Sequence, residues 1–224
     1  MSDRTVAVVP ARDEADRVGE TVRALRQLVD EVVVVDDGSR DPTTSVALAA
    51  GATVLRIRGH AGKGGAVEGA IARIEPADVW LIADGDLGRS AAALDALIGA
   101  VRDGHADIAV AVLGPQPGGG LGIVRTLSAW AIRTLAGRAM RAPLSGQRAI
   151  SATALDRVRP LARGFGLETA MTIDALRRGL RVEEIDVPGL SHRPTGRSLR
   201  GFWHRGRQGW DILRALPARI LRRR

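Results

Sequence analysis

Two aspartates follow an apolar run in the stretch VWLIADGDLGRS, residues 79–90. The run predicts a strand buried on both faces, where carboxylates are costly unless a positive group lies against them. If the strand continued, Asp84 and Asp86 would share one face, and Gly85 would let a ligand approach the backbone. Such oxygen ligands favour Mg²⁺ or Mn²⁺ held together with phosphate oxygens. A polar strand end followed by a helix cap is the structural alternative.

Acidic residues also follow two earlier apolar runs. A turn and a helix N-cap explain most of DDGSRD, residues 36–41, but not two consecutive aspartates. A carboxylate at a strand end can accept hydrogen bonds from a base or a ribose. Asp37 and Glu14 are therefore candidate nucleotide contacts.

The stretch GHAGKGG, residues 59–65, is similar to a phosphate loop but lacks the Ser or Thr that a Walker motif requires after its lysine. Glycines and Lys63 at a helix N-terminus predict contact with a diphosphate or a base. A plain helix-entry turn is the alternative.

Short Val/Ile-rich runs alternate with helical patterns, which predicts an α/β fold with a parallel sheet. Strands are predicted at TVAVVP, EVVVVD, TVLRIR, VWLIAD, DIAVAVL and RVEEIDVP. Helices are predicted over 18–28, from 43, from 63, over 90–101, over 123–136 and from Glu168. Ligands bind beyond the carboxyl ends of such strands, where the acidic residues gather. The glycine-rich GPQPGGGLG is either a connector or a substrate loop.

The composition limits the classes of protein that fit. The chain has 224 residues, 45% of them apolar, which is enough for a globular core. The absence of cysteine excludes disulfides, thiolate zinc sites and cysteine nucleophiles. There is no run of 18 apolar residues and no signal-peptide pattern at the N-terminus, so we expect a cytoplasmic protein.

These motifs, in this order, resemble the family 2-like nucleotide-sugar glycosyltransferases of the GT-A fold. The match lies in VVPARDEADRVGETV, VVVVDDGSRDPT, GKGGAVEGAI and the DGD motif, all in the first half. Further on, GGG, PLSGQRAI, GFGLETAMTIDALRRGL and His192 look like the glucosyl-3-phosphoglycerate synthases and, more distantly, the polyprenyl-phosphate sugar transferases.

The resemblance implies a Rossmann-like, mixed and mostly parallel sheet flanked by helices. It implies a catalytic domain over 1–191, with a nucleotide-sugar half over 1–113 and an acceptor half over 114–191, and a basic helical extension over 192–224.

The resemblance also implies metal-dependent transfer of a sugar from a nucleoside diphosphate donor, UDP-glucose or similar, to an acceptor that bears a phosphate or carboxylate or is a lipid phosphate. The donor would contact Pro10, Ala11, Arg12, Glu14, Asp37, Lys63, Asp84, Gly85, Arg193 and Arg197. The acceptor would contact Gly119, Gly120, Arg125, Thr126, Ser145 and Gly146. Asp86 and His192 would hold Mg²⁺ or Mn²⁺, and Asp86 and Glu168 are the implied catalytic residues.

Glu168 would bind the acceptor or take its proton, and a carboxylate favoured by a helix N-terminus is the structural alternative. An acceptor that is an ionised phosphate or carboxylate needs no base, so retention and inversion both stay open. Residues 121–124 separate the triple glycine from Arg125 and Thr126, whereas the phosphoglycerate enzymes have an arginine and a threonine after theirs. This difference argues against phosphoglycerate itself as the acceptor.

The positive charge is concentrated at the C-terminus. Residues 192–224 hold ten arginines and one acid, while the rest of the chain is nearly neutral within a net charge of +8. Arginines interleaved with tryptophan and aliphatic residues predict a helix at a membrane surface, which would suit a lipid-phosphate acceptor. Docking on the catalytic core or in a homodimer interface are alternatives, and the neutral body argues against nucleic acid.

Two other functions fit parts of the pattern. A sugar nucleotidyltransferase shares the strand order and acidic site, but would have a glycine-rich turn where this chain has ARDEADR. A catalytically silent nucleotide-sugar-binding or membrane-docking protein would not need Asp84, Asp86 and His192 together.

Overall fold

The computed structural model describes residues 3–57, 61–114, 122–162 and 166–191. Its strands are β1 (Thr5–Ala11), β2 (Glu31–Asp36), β3 (Thr53–Arg56), β4 (Val79–Ile82), β5 (Ile108–Val112), β6 (Arg148–Ser151) and β7 (Val182–Asp186). Its α-helices are α1 (Val18–Leu25), α2 (Thr43–Ala49), α3 (Gly62–Ile71), α4 (Asp95–Arg102), α5 (Ile123–Ala136), α6 (Ala152–Val158) and α7 (Leu167–Arg177), and a 3₁₀ helix covers Gly88–Leu94.

The strands form one sheet in the order β3-β2-β1-β4-β6-β5-β7. Only β6 runs antiparallel to its neighbours β4 and β5, while the other described pairs are parallel. The predicted mixed, mostly parallel sheet is therefore confirmed. The sheet runs through both predicted halves of the catalytic domain, and the proposed boundary between them stays a prediction.

The central strands are apolar on both faces because helices cover both sides. On β1, Val6 and Val8 enter one core and Ala7 and Val9 enter the other, all with no exposed surface. This alternation follows from the two-residue period of a strand. The first core lies under α3, α5, α6 and α7, and the second lies under α1, α2, α4 and the 3₁₀ helix.

Several predicted boundaries were wrong. Strand β4 ends at Ile82, so Asp84 and Asp86 lie in the turn beyond it and do not share a strand face. The predicted helix over 90–101 is a 3₁₀ helix followed by α4, and the first helix ends at Leu25 instead of residue 28. Strand β6 and helix α6 were not predicted from PLSGQRAISATALDRV, where Pro, Ser and Gly indicate a loop.

No helix in the described ranges is long and apolar enough to cross a membrane. Residues 115–121 of the glycine-rich stretch, predicted to be either a connector or a substrate loop, and the predicted basic helix over 192–224 lie outside those ranges.

Candidate active site at the carboxyl edge of the sheet

The DGD turn lies where the carboxyl ends of β1 and β4 meet. The two strands are parallel, with Val8 paired to Ile82, so the turn at 84–86 lies beside the segment that follows β1. At position 85 a Cβ would lie 2.0 Å from Oε2 of Glu14, so any larger residue would require the Glu14 carboxyl group to move. The glycine thus allows the backbone to lie directly on a buried carboxylate.

A buried threonine on α1 holds the DGD turn in place. The Oγ1 of Thr21 donates to the carbonyl of Gly85 at 2.7 Å and accepts from the N–H of Gly88 at 2.8 Å. Thr21 has no exposed surface. Thr21 was not predicted to be a functional residue, and only its polar type on the apolar face of an amphipathic helix could have indicated its role.

Lys63 connects the donor and acceptor sides of the predicted site. Its Nζ lies 2.5 Å from Oδ1 of Asp84 and 3.1 Å from Oε1 of Glu168. Burial opposes the charged amine, but Asp84 and then Glu168 outweigh this effect and raise the pKa of Lys63 above its ordinary value. The amine is therefore a fixed positive charge between two carboxylates.

The segment before β6 forms one wall of this cluster. The Nε2 of Gln147 donates to Oδ2 of Asp84 at 2.6 Å. At Gly146, a Cβ would lie 2.2 Å from Nζ of Lys63 and 2.9 Å from Oδ2 of Asp84. Ser145 and Gly146, predicted to bind the acceptor, are thus adjacent to Lys63 and Asp84.

Glu14 lies in an environment that disfavours its negative charge. Burial, followed by the charges of Asp86 and Asp84, raises the pKa of Glu14 to about 8, although Lys63 offsets part of the effect. Its Oε2 is buried and has no hydrogen-bond partner in the described part of the chain. A cation at this edge would relieve the repulsion among the carboxylates.

Asp36 and Asp37 have structural contacts. Burial would raise the pKa of Asp36, but hydrogen bonds from Ser39 and Thr44 lower it below its ordinary value. Asp37 accepts hydrogen bonds from the backbone N–H groups of Ala61 at 2.8 Å and Gly62 at 3.1 Å, where α3 begins. The consecutive aspartates thus secure the entries to two helices, and the base contact of Asp37 stays a prediction.

The other predicted residues are dispersed. Pro10 and Ala11 end β1, and Arg12 is exposed beside Asp13. Arg125 and Thr126 are exposed at the start of α5, outside the buried cluster. Gly119, Gly120, His192, Arg193 and Arg197 lie outside the described residues.

The described residues fit a metal that takes most of its ligands from elsewhere. They contain no group of three or more His, Asp or Glu side chains able to hold an ion. Mg²⁺ typically takes one or two carboxylates, with waters and substrate phosphates completing its shell. Burial aside, Asp86 lies close enough to Glu14 to raise its pKa, and these two carboxyl groups are compatible with an ion that takes its other ligands from water and phosphate.

The mixed sheet with carboxyl groups at one edge agrees with the class of protein that the motifs predicted, and comparison with known proteins gives the family. The family model of glycosyl transferase family 2 matches residues 6–159. The chain belongs to this family, as its motifs predicted, and the match favours a transferase over a nucleotidyltransferase.

Two curated relatives are longer proteins. The chain is 31% identical over 221 residues to glucosyl-3-phosphoglycerate synthase of Mycolicibacterium paratuberculosis, with 85% of this chain and 66% of the relative covered. It is 28% identical over 184 residues to glycosyltransferase AglJ of Haloferax volcanii, with 80% and 60% covered. The chain therefore spans less than two thirds of the length of either relative.

Solved structures of glucosyl-3-phosphoglycerate synthase from Mycobacterium tuberculosis share the fold. One, in complex with Mg²⁺ and UDP, is 26% identical with a TM-score of 0.81, covering 97% of this chain and 79% of that one. Another holds Mn²⁺, UDP-glucose and phosphoglyceric acid, and is 26% identical with a TM-score of 0.81 over 97% and 80%.

The raised pKa of Glu14 predicts that the parent and the variant Glu14→Gln differ in stability by an amount that depends on pH, when a chelator keeps the protein free of metal. Between its ordinary pKa of 4.5 and its folded pKa of about 8, the unfolded chain ionises Glu14 while the folded chain keeps the proton. Rising pH therefore removes stability from the parent but not from Glu14→Gln. We expect Glu14→Gln to gain up to about 4 kcal/mol in unfolding free energy relative to the parent between pH 5 and pH 8, measured by urea denaturation.

The control is Glu75→Gln, since Glu75 is exposed and far from the acidic edge. Its difference from the parent should stay constant over the same range. A constant difference for Glu14→Gln as well would contradict the environment described for Glu14.

Proposed function

We propose that this chain transfers a sugar from a nucleoside diphosphate sugar, with UDP-glucose or a similar donor, to an acceptor that carries a phosphate. The observation that carries the proposal is the crowded acidic edge, where Asp84 and Asp86 follow β4 above the buried carboxylate of Glu14. Such an edge suits a divalent cation and a diphosphate, and the chain belongs to a family of glycosyltransferases.

The donor would lie along the carboxyl ends of β1, β2 and β4. The nucleobase and ribose would be lined by Pro10, Ala11, Arg12 and Glu14, and Asp37 would hold the base. Lys63 would lie beside the uracil or ribose, and Asp84 and Gly85 would contact the ribose. Arg193 and Arg197 would lie near the diphosphate or the acceptor. UDP is supported as the nucleotide because the M. tuberculosis synthase was solved with UDP and UDP-glucose.

Asp86 and His192 would hold Mg²⁺ or Mn²⁺, the ions found in those relatives. Bound there, the ion would neutralise the charge of the departing diphosphate. The chain's own residues then mainly position the reactants, since Lys63 orders Asp84 and Glu168 and Gly146 leaves space beside them.

Glu168 would face the acceptor. It is buried at the start of α7, and its Oε1 lies 3.1 Å from Nζ of Lys63. A carboxylate at this position would bind the acceptor or take a proton from its hydroxyl. Gly119, Gly120, Arg125, Thr126, Ser145 and Gly146 would contribute the rest of the acceptor site.

The acceptor phosphate has two sources. It could belong to a small acid such as the phosphoglyceric acid bound by the M. tuberculosis synthase. It could also belong to a lipid, since the ten arginines of 192–224 suit an anionic membrane. With a lipid acceptor, the protein would be cytoplasmic and peripheral at the inner membrane face. Alternatively, the segment 192–224 would form a homodimer interface.

Nucleotide binding tests the donor half. By titration calorimetry we expect Mn²⁺-dependent binding of UDP, because Asp86 would hold an ion that neutralises the diphosphate. We expect UDP in preference to GDP because the M. tuberculosis synthase was solved with UDP. Asp86→Asn should weaken binding about tenfold or more, equivalent to roughly 1.4 kcal/mol. The control Asp103→Asn alters an exposed carboxylate at the end of α4 and should bind as the parent does. Binding that ignores Mn²⁺ or survives Asp86→Asn would refute the proposed site.

Transfer assays test the acceptor class. Each phosphorylated acceptor is paired with its dephosphorylated form: 3-phosphoglycerate with glycerate, and polyprenyl phosphate with polyprenol, the lipids in phosphatidylglycerol vesicles. We expect transfer to one of the phosphorylated acceptors and at least tenfold less to its partner, measured by product chromatography, because recognition of the phosphate would be lost. Equal transfer to an unphosphorylated partner would refute the phosphate requirement. Activity with 3-phosphoglycerate alone would exclude the lipid source.

A further inference from the structure

Arg148 is a buried charge that sequence reasoning did not assign. It lies on β6, is 1% exposed, and donates from Nε to the carbonyl of Ser145 at 3.0 Å and from Nη1 to Oγ1 of Thr172 at 2.9 Å. Its Nη2 is buried with no hydrogen-bond partner in the described part of the chain. Burial lowers the pKa of Arg148 to about 10, and the charges of Glu168 and Glu184 offset part of this effect.

The position of Arg148 in the sheet explains why Glu184 is close. Val110 on β5 pairs with Arg148 on one side and with Glu184 on the other, so the two charged residues lie in one row across the sheet. Glu184 in turn accepts hydrogen bonds from the backbone N–H groups of Arg141 at 3.0 Å and Ala142 at 2.7 Å. The charged row thus holds the segment 141–147 near both of its ends.

The opposite side of this segment faces the candidate site. Ser145, held by Arg148 through its carbonyl, is followed by Gly146, which lies against Lys63, and by Gln147, which donates to Asp84. A displacement of the Ser145 carbonyl would therefore move the wall that confines Lys63 and Asp84.

The same guanidinium also holds the helix that carries Glu168. Thr172 accepts from Nη1 of Arg148, and its hydroxyl donates to the carbonyl of Glu168 at 2.9 Å. Arg148 on β6 and Lys63 on α3 are thus two positive charges that both interact with Glu168.

We infer that Arg148 is a positioning residue for the transfer reaction, which fixes the segment 141–147 and the first turn of α7 relative to the DGD turn. The inference rests on the proposed function. An isolated buried charge is costly, and an apolar residue of similar size would fill the space without that cost. The contacts of Arg148 are polar and directional, and they lead to both the Asp84 and Glu168 sides of the site.

The test compares Arg148→Met, which removes the charge at similar volume, with Arg148→Lys, which keeps it. We expect Arg148→Met to lower kcat about 10- to 100-fold, because small displacements of positioned groups cost this much. Its affinity for UDP with Mn²⁺ should fall by a smaller factor than kcat, since Asp86 and Glu14 lie outside segment 141–147 and α7, and Arg148→Lys should recover part of kcat.

Arg177→Met is the matched control. Arg177 also donates to a backbone carbonyl, that of Leu135 at 2.8 Å, but at the far end of α7. The kcat of Arg177→Met should equal that of the parent. The inference is overturned if Arg148→Met keeps its kcat, or if it loses kcat and UDP affinity to the same extent.

If Arg148→Met does not fold, a second pair of variants replaces it. Thr172→Val removes the hydroxyl that accepts the hydrogen bond from Nη1 of Arg148, and Thr172→Ser keeps this hydroxyl. A lower kcat in Thr172→Val alone supports the inference, and equal kcat in both overturns it. If the parent shows no transfer activity, the proposed function fails, but the positioning role of Arg148 is still tested by amide hydrogen exchange at 145–147. Faster exchange in Arg148→Met or Thr172→Val than in Arg177→Met supports the role of Arg148 in holding this segment. Equal exchange overturns it.

Discussion

The site depends on one interaction, the ammonium of Lys63 held between the carboxylates of Asp84 and Glu168. Lys63 is the single lysine of the chain. It is provided by the start of α3, whereas its partners come from the turn after β4 and from the start of α7. Removing one member of such a buried set leaves an uncompensated charge, which is strongly destabilising. The interaction therefore requires these three elements to adopt one arrangement.

The rest of the site is arranged around this charge. Thr21 fixes the DGD turn from the α1 side, and Gln147 and Gly146 enclose Asp84 from the β6 side. The antiparallel strand β6 is what brings the latter pair to the carboxyl edge of β4, since Ile82 pairs with Arg148. Glu14 is left with a raised pKa because burial and neighbouring carboxylates outweigh Lys63. Carboxyl groups are thus crowded at this edge, and a cation bound there would relieve their repulsion.

The sequence predicted those parts of the structure that local patterns encode. The alternating apolar runs located the parallel strands, and the residues after them located Glu14, Asp84 and Asp86 at one edge. It did not predict β6, because PLSG has the composition of a loop and the antiparallel pairing depends on distant partners. Arg148 and Thr21 were missed for the same reason, since a polar residue in an apolar stretch shows no partner until the chain is folded. Asp36 and Asp37 accept hydrogen bonds at the starts of two helices, so their presence in the sequence did not by itself distinguish a structural role from ligand binding.

The most direct test of the proposed donor site is to locate the metal. A crystal of the protein grown with Mn²⁺ and UDP would be measured at the manganese absorption edge. We predict an anomalous peak within bonding distance of the Asp86 carboxylate and of the diphosphate oxygens, with Lys63 close to the nucleotide. A peak elsewhere, or a bound nucleotide with no metal at Asp86, would contradict the claim that the carboxyl edge of β1 and β4 is the donor site.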